Sequence, residues 1–247
     1  MMPPLPRWFA HRGGGSLAPE NTLAGIRLAA RLGYRAVEFD VMLSADGTPV
    51  LIHDETLERT TNGVGRVCEM SDGVLFALDA GHGERIPRFA EAAALCREYG
   101  LLANVEIKPA AGYERRTAEV VARQTRALWQ GAAVMPLISS FSLEALEIAR
   151  DLAPEIPRGL LFEQVPPDWQ QEMGRLQAVT LHCSARHVDE GMLLEVRARE
   201  IPLLCYTVNA PDQARGLFAR GVSAVFTDRL DLFAAEISAY KSLQLGG

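Results

Sequence analysis

Glu38 and Asp40 stand in the β-rich run Ala36-Val37-Glu38-Phe39-Asp40-Val41, so both acidic side chains leave the same face of a strand. Val37, Phe39 and Val41 take the opposite face, which an α/β chain must pack against helices. Two carboxylates turned inward together are costly unless a cation or hydrogen bonds compensate them. The run Asn104-Val105-Glu106-Ile107-Lys108 repeats the arrangement and puts Glu106 and Lys108 on one face at one height. Three carboxylates at one place make an oxygen-ligand site for one hard divalent cation, Mg²⁺ or Ca²⁺. A salt-bridged network with Lys108 and nearby arginines would account for any one of these acids taken alone; their joint placement at strand ends favours the cation.

His11 closes an earlier β-rich run and is followed by Arg12 and by Gly13, Gly14 and Gly15. Arg12 is a planar cation suited to a phosphate oxygen. The glycines either let the backbone approach a ligand closely or form a flexible surface loop. Neither a dinucleotide fingerprint nor a P-loop is present. His53-Asp54 supplies a second imidazole. Two histidines beside a cation and a phosphate-binding Arg and Lys can divide the labour of general base and general acid, at pKa values that histidine has without large perturbation. His82 is expected in a loop and His187 on the surface, while His182 ends a strand and has no assigned role.

Positioning these groups falls to eight β-rich runs, at 7–11, 36–41, 103–106, 137–140, 159–162, 179–182, 202–208 and 224–227. Helical patterns follow most of them. Leu23, Ile26 and Ala30 share a face after the cap candidates Asn21 and Thr22, and Gly33 closes that helix. Others occupy 89–99, 117–128, 143–152 and 214–219. Strand and helix alternating eight times predicts an α/β fold, a (β/α)8 TIM barrel formed by residues 1–247 as a single domain. Between the second and third strands, Asp46-Gly47 signals a hairpin. Residues 49–53 are then a return strand folding back over the barrel mouth, an insertion that carries His53 toward the end of strand two.

The 247 residues carry a net charge of −6 and an isoelectric point near 5.5, without the Lys and Arg clusters that a polyanion needs, so nucleic acid is an unsuitable partner. No apolar run approaches the roughly 18 residues of a membrane span. The stretch Met1 to Trp8 is Pro-rich and lacks a segment of signal-peptide length. Neither an apolar exposed loop nor a basic amphipathic helix suggests stable membrane association. Cys68, Cys96, Cys183 and Cys205 are widely separated. Together these features lead to an expectation of a soluble cytoplasmic protein with reduced thiols.

His11-Arg12-Gly13, Pro19-Glu20-Asn21-Thr22, Glu38-Phe39-Asp40-Val41, Asp46-Gly47, His53-Asp54 and Glu106-Ile107-Lys108 occur in that order. This ordered set resembles the glycerophosphodiester phosphodiesterase family, the short cytoplasmic bacterial enzymes in particular. The likeness continues through Leu57–Gly63, Ser139-Ser140-Phe141, Tyr206-Thr207-Val208-Asn209 and Thr227-Asp228, nearly the whole chain. It implies a divalent-metal-dependent barrel hydrolase that cleaves small glycerophosphodiesters to sn-glycerol 3-phosphate and an alcohol. Carried over by position, His11 and His53 match the acid–base pair, Glu38, Asp40 and Glu106 the metal ligands, and Arg12 and Lys108 the phosphate contacts. Phe141 and Tyr206 match substrate contacts, with Tyr206 standing where the family often has Trp. Glu20 and Asn21 match supporting positions, as hydrogen-bond partners of the site or as a helix cap.

The nucleophile is either water or the glycerol 2-hydroxyl, and the motifs do not divide base from acid between the histidines. Two competing readings are a barrel phospholipase that acts on intact phospholipids with cyclic phosphate formation, and a non-catalytic barrel that binds phosphorylated ligands. A homo-oligomer is compatible with either.

Overall fold

The computed structural model describes residues 5–245. Its first strand, β1 (Trp8–Ala10), pairs in parallel with both β2 (Ala36–Leu43) and β9 (Ala224–Thr227), and that double pairing closes the sheet. Around the cylinder from β2 run β4 (Leu102–Ile107), β5 (Leu137–Ser140), β6 (Arg158–Phe162), β7 (Thr180–Ser184), β8 (Leu203–Tyr206) and β9, all parallel neighbours. The eight runs are therefore the eight staves of a (β/α)8 barrel. Inside the cylinder Phe9, Phe226, Leu102, Leu137 and Leu204 form an apolar plug. Val37, Phe39 and Val41 face outward against the helices, with Phe39 fully buried 6.1 Å from Phe89 between ring centroids. Each such burial contributes roughly 1.5–3 kcal/mol.

The helices are α1 (Leu23–Arg31), α2 (Asp72–Leu75), α3 (Phe89–Tyr99), α4 (Glu114–Leu128), α5 (Leu143–Leu152), α6 (Trp169–Leu176), α7 (Glu190–Ala198), α8 (Pro211–Ala219) and α9 (Leu230–Leu245). Thr22 caps α1 by accepting from the Gly25 amide at 3.3 Å, which leaves Asn21 for another task. Gly100, in the left-handed region at φ 61°, ends α3. The sequence reading does not mark α6 and α7. Their buried faces are small, Trp169, Met173 and Leu176 on one and Leu193 and Val196 on the other.

Hairpin pairing joins β2 to β3 (Pro49–Leu51) antiparallel, with Val41 opposite Leu51 and Leu43 opposite Pro49. The return strand is shorter than expected and stops at Leu51, although the Ile52 amide still donates to the Asp40 carbonyl at 3.2 Å. It adds an edge to β2 and is not a barrel stave. Beyond it the chain makes an irregular excursion with its own apolar cluster, including Met42, Val50, Leu57, Val67, Leu75 and Ile86. All four cysteines are free and buried. Among the described residues, no helix is long and apolar enough to cross a membrane.

Candidate active site

Register brings the acids together. Parallel pairing of β2 with β4 sets Asp40 beside Glu106 and Glu38 beside Asn104. Glu38, Asp40 and Glu106 are 4, 1 and 8% exposed, and one carboxylate oxygen of each lies within 4.8 Å of the others. Asp40 is the best compensated: Asn21 Nδ2 donates to it at 2.9 Å and Lys108 Nζ at 3.1 Å, with Arg12 Nε at 3.9 Å. Burial pushes Asp40 up, but Lys108, His53, Arg12 and Asn21 outweigh it and hold the carboxyl below its usual range. Glu38 receives only the Arg12 amide, at 2.9 Å on Oε2. Burial, then the charges of Asp40 and Glu106, raises Glu38 well above the ordinary carboxylate range. Glu106 is likewise pushed up to about 8, by burial first and Asp40 second. Glu38 Oε1 and Glu106 Oε1 are buried without a hydrogen-bond partner. Three converging carboxylate oxygens, two of them without a hydrogen bond, fit a hard divalent cation, whose charge would favour their ionised forms. Lys108 does reach Asp40 and, at 3.7 Å, Glu106, so a salt-bridged network also forms, but it leaves Glu38 uncovered.

Both catalytic candidates are imidazoles held at Nδ1 by a carboxylate. His11 Nδ1 lies 2.6 Å from Asp228 Oδ1, and its Nε2 is 3.8 Å from Glu38 Oε2. His53 Nδ1 lies 2.6 Å from Asp54 Oδ1. Burial lowers the His53 pKa, partly opposed by the attraction of Asp40. A carboxylate at Nδ1 fixes the tautomer that carries its proton there and leaves Nε2 for the cavity. Arg59 pairs with Asp54 and donates to both Glu20 oxygens at 2.8 and 2.7 Å. Glu20 in turn accepts from Arg12 at 3.1 Å. A chain of alternating charge thus links the His53 loop to Arg12, and Glu20 supports the site from behind. Asn21 supports it as a hydrogen-bond partner of Asp40 and not as a cap, donating through Nδ2 and accepting the Asp40 amide at 3.1 Å.

The glycine loop is not a flexible surface segment. Gly13 and Gly14 are buried; Gly13 donates to the Glu38 carbonyl at 2.9 Å and Gly15 to the His11 carbonyl at 2.9 Å. A Cβ on Gly15, at φ +56°, would come 2.3 Å from the Asp228 carbonyl oxygen. Absence of side chains here lets the first and last strand ends meet, and so places Asp228 on His11.

A cavity of about 280 Å³ opens over the acids. His11, Arg12, His53 and Lys108 line it together with the three carboxylates, and Phe141 and Tyr206 stand on its wall, their rings edge to face at 6.1 Å. Every candidate except Glu20 and Asn21 therefore reaches one cavity. His182 reaches it too, fully buried, 2.9 Å from Thr180 Oγ1 and held by burial at a pKa of about 3. It is a neutral hydrogen-bonding group near pH 7. His82 sits in a turn and His187 lies 3.7 Å from Glu163, both as expected of peripheral residues. The sequence reading gives no role to Asp228, Asn209 or Arg59. The position of Asp228 directly after the eighth barrel strand, adjacent to the first once the barrel closes, is the signal that could have found it.

A closed barrel whose mouth gathers an oxygen-ligand set, two oriented imidazoles and two cations has the composition of a phosphoric diester hydrolase centre. The glycerophosphoryl diester phosphodiesterase family matches residues 11–232. A glycerophosphodiester phosphodiesterase of Caldanaerobacter subterraneus is 32% identical over 233 residues, 89% of this chain and 93% of the relative. Among solved structures, a phosphodiesterase of Oleispira antarctica in complex with the product sn-glycerol-3-phosphate superposes with a TM-score of 0.89 at 35% identity, covering 95% of this chain and 97% of that one. A glycerophosphodiester phosphodiesterase of Agrobacterium tumefaciens gives 0.76 at 28% identity over 94% of this chain and 100% of its own. The chain belongs to the glycerophosphoryl diester phosphodiesterase family, whose members are phosphoric diester hydrolases.

Proposed function

We propose that this single barrel domain cleaves small glycerophosphodiesters to sn-glycerol 3-phosphate and an alcohol, with His11 and His53 as the acid–base pair and Glu38, Asp40 and Glu106 as ligands of a divalent cation, Mg²⁺ or Ca²⁺. One observation carries the reading: two buried carboxylate oxygens without a hydrogen-bond partner, on Glu38 and Glu106, converge with Asp40 in the cavity that both imidazoles line. When bound there, the cation supplies charge neutralisation of phosphate oxygens and a lowered pKa for a coordinated hydroxyl or water. Arg12 and Lys108 attract the phosphodiester and stabilise the negative charge that grows on it as the ester bond breaks. Glu20 and Arg59 fix the direction of Arg12, and Asn21 and Lys108 keep Asp40 ionised. One imidazole takes the nucleophile's proton on Nε2 while the other delivers a proton to the departing alkoxide, each step contributing roughly 10²–10⁴-fold.

Release of glycerol 3-phosphate from glycerophosphocholine, measured with a coupled assay with and without chelator, tests this. Turnover is expected to need added Mg²⁺ or Ca²⁺ and to be nearly abolished in Glu38→Gln and Asp40→Asn, both folded. Wild-type rates in either variant, or in chelator, would overturn the cation assignment.

A further inference from the structure

Phe141 is a large aromatic left 48% exposed just after β5, where it stacks edge to face, at 83°, on Tyr206 from the end of β8. The Tyr206 hydroxyl donates to the Phe162 carbonyl at 2.8 Å and lies 3.2 Å from Glu163 Oε2, which ties ring and carboxylate into one wall. Burial, and then Glu163, raises the Tyr206 hydroxyl well above its usual range, so it remains a neutral donor. Of the other carboxylates at the mouth, Asp40 and Glu106 pair with Lys108, and Asp54 and Glu20 with Arg59, while Glu38 and Asp228 face His11. Glu163 pairs with no lysine or arginine among the described residues; its one neighbour of that kind is His187, 3.7 Å away.

An uncommitted carboxylate beside two aromatic faces is the chemistry that recognises an organic cation, through ring quadrupole and charge together. We propose that Glu163, Phe141 and Tyr206 form the subsite for the alcohol portion of the substrate and select an ammonium-bearing alcohol over neutral and anionic ones. The assignment rests on the reading above: with phosphate and glycerol held at Arg12, Lys108 and the acid cluster, the second ester arm extends along the remaining wall of the same cavity. An anionic alcohol meets Glu163 with repulsion. A neutral alcohol gains aromatic contact alone, and an ammonium group gains both contributions.

The test compares kcat/KM for glycerophosphocholine and glycerophosphoglycerol on the same protein preparation, so that general damage to a variant cancels in the ratio. Wild type is expected to favour the choline ester by about fivefold or more, less so as ionic strength rises. Glu163→Gln and Phe141→Ala should each lower that ratio by about threefold or more, and Glu163→Lys should bring it below one. A wild-type ratio of one or less, or a ratio unchanged in Glu163→Gln, would overturn the subsite. Cleavage of both esters without preference sinks this assignment alone. Release of glycerol 3-phosphate from neither would instead sink the hydrolytic reading, and the subsite with it.

Discussion

Asp228 Oδ1 meets His11 Nδ1 at 2.6 Å across 217 positions of sequence. Barrel closure makes them neighbours, since β9 pairs with β1 and Thr227 stands against Ala10. Asn209 holds the acid in turn, donating to Asp228 Oδ2 at 3.1 Å and accepting the Asp228 amide at 2.8 Å. Burial raises Asp228, but its bond to His11 and the charge there outweigh burial and keep the carboxyl below its usual range. Such a carboxylate selects the imidazole tautomer and steadies the charged ring. Asp228→Asn is therefore expected to lower kcat by roughly 10²–10⁴-fold with a much smaller change in KM. Steady-state kinetics yielding a near wild-type kcat would remove Asp228 from that role.

Arg59 is the tie between the excursion that carries His53 and the loop that carries Arg12. Its guanidinium spans Asp54 and Glu20, and the Arg59 hydrogen bond holds Asp54 well below the usual carboxylate range. With the side chain 47% exposed, the pairs themselves add little stability, about 1 kcal/mol or less. Arg59→Ala is expected to move the unfolding midpoint slightly while lowering kcat about tenfold, because Asp54 loses the cation that anchors it against His53. Parallel measurement of both separates a positioning role from a merely structural one.

How much of this was legible before folding depended on the range of each relationship. Two-residue alternation in β2 and β4 is local, so the convergence of Glu38, Asp40 and Glu106 follows from the pattern once the strands pair in parallel. The Asp46-Gly47 turn is equally local, and it delivers His53 correctly even though β3 ends two residues early. Asp228 and Asn209 acquire their roles only when the last strand reaches the first, a fact that no neighbouring residue encodes. Arg59 depends on the irregular path of the excursion, where there is no periodicity to read. The packing of Gly13–Gly15 against Gly25 and Asp228 belongs to the same long-range class, and composition alone left close approach and a flexible loop equally open.

Gly15 offers a direct check on that packing. Its φ of +56° disfavours any side chain, and the added Cβ would press on backbone atoms of Asp228 that cannot turn aside. Gly15→Ala is expected to cost about 2 kcal/mol or more of stability and to lower kcat as well, by displacing Asp228 from His11. Gly83→Ala is the control: at φ +80° it carries similar backbone strain, but a Cβ there meets nothing within 4 Å. Chemical denaturation and kinetics should show a loss of stability in both variants and a loss of turnover in Gly15→Ala alone.

Removing the cation should expose the electrostatic cost of the acid cluster as a pH dependence. Burial and Asp40 raise Glu106 to about 8, so the folded, metal-free protein binds this proton more tightly than the unfolded chain, whose Glu titrates near ~4.3. A raised carboxyl stabilises the fold at pH values below its unfolded pKa, and that contribution disappears as pH rises through the folded value. Asp40, held low, has the opposite dependence, but its loss lies far to the acid side. His53 and His182, both lowered by burial, destabilise on acidification through ~6.5 and are neutral in folded and unfolded chains above it. The interval from pH 7 to 8.5 therefore excludes these groups; the raised Cys96 and Cys205 thiols lose stability there too, but equally in wild type and Glu106→Gln, so the difference between the two proteins reports the acid. Chelated wild type should lose about 2–4 °C in Tm across this interval, roughly 1 kcal/mol for a domain of this size. Glu106→Gln should lose less. Saturating Mg²⁺ should restore wild type at pH 8.5 and leave Glu106→Gln nearly unmoved, since a ligand bound only by the folded state raises Tm. Parallel melting curves for the two proteins, indifferent to the ion, would mean that the three carboxylates are a salt-bridge network and nothing more.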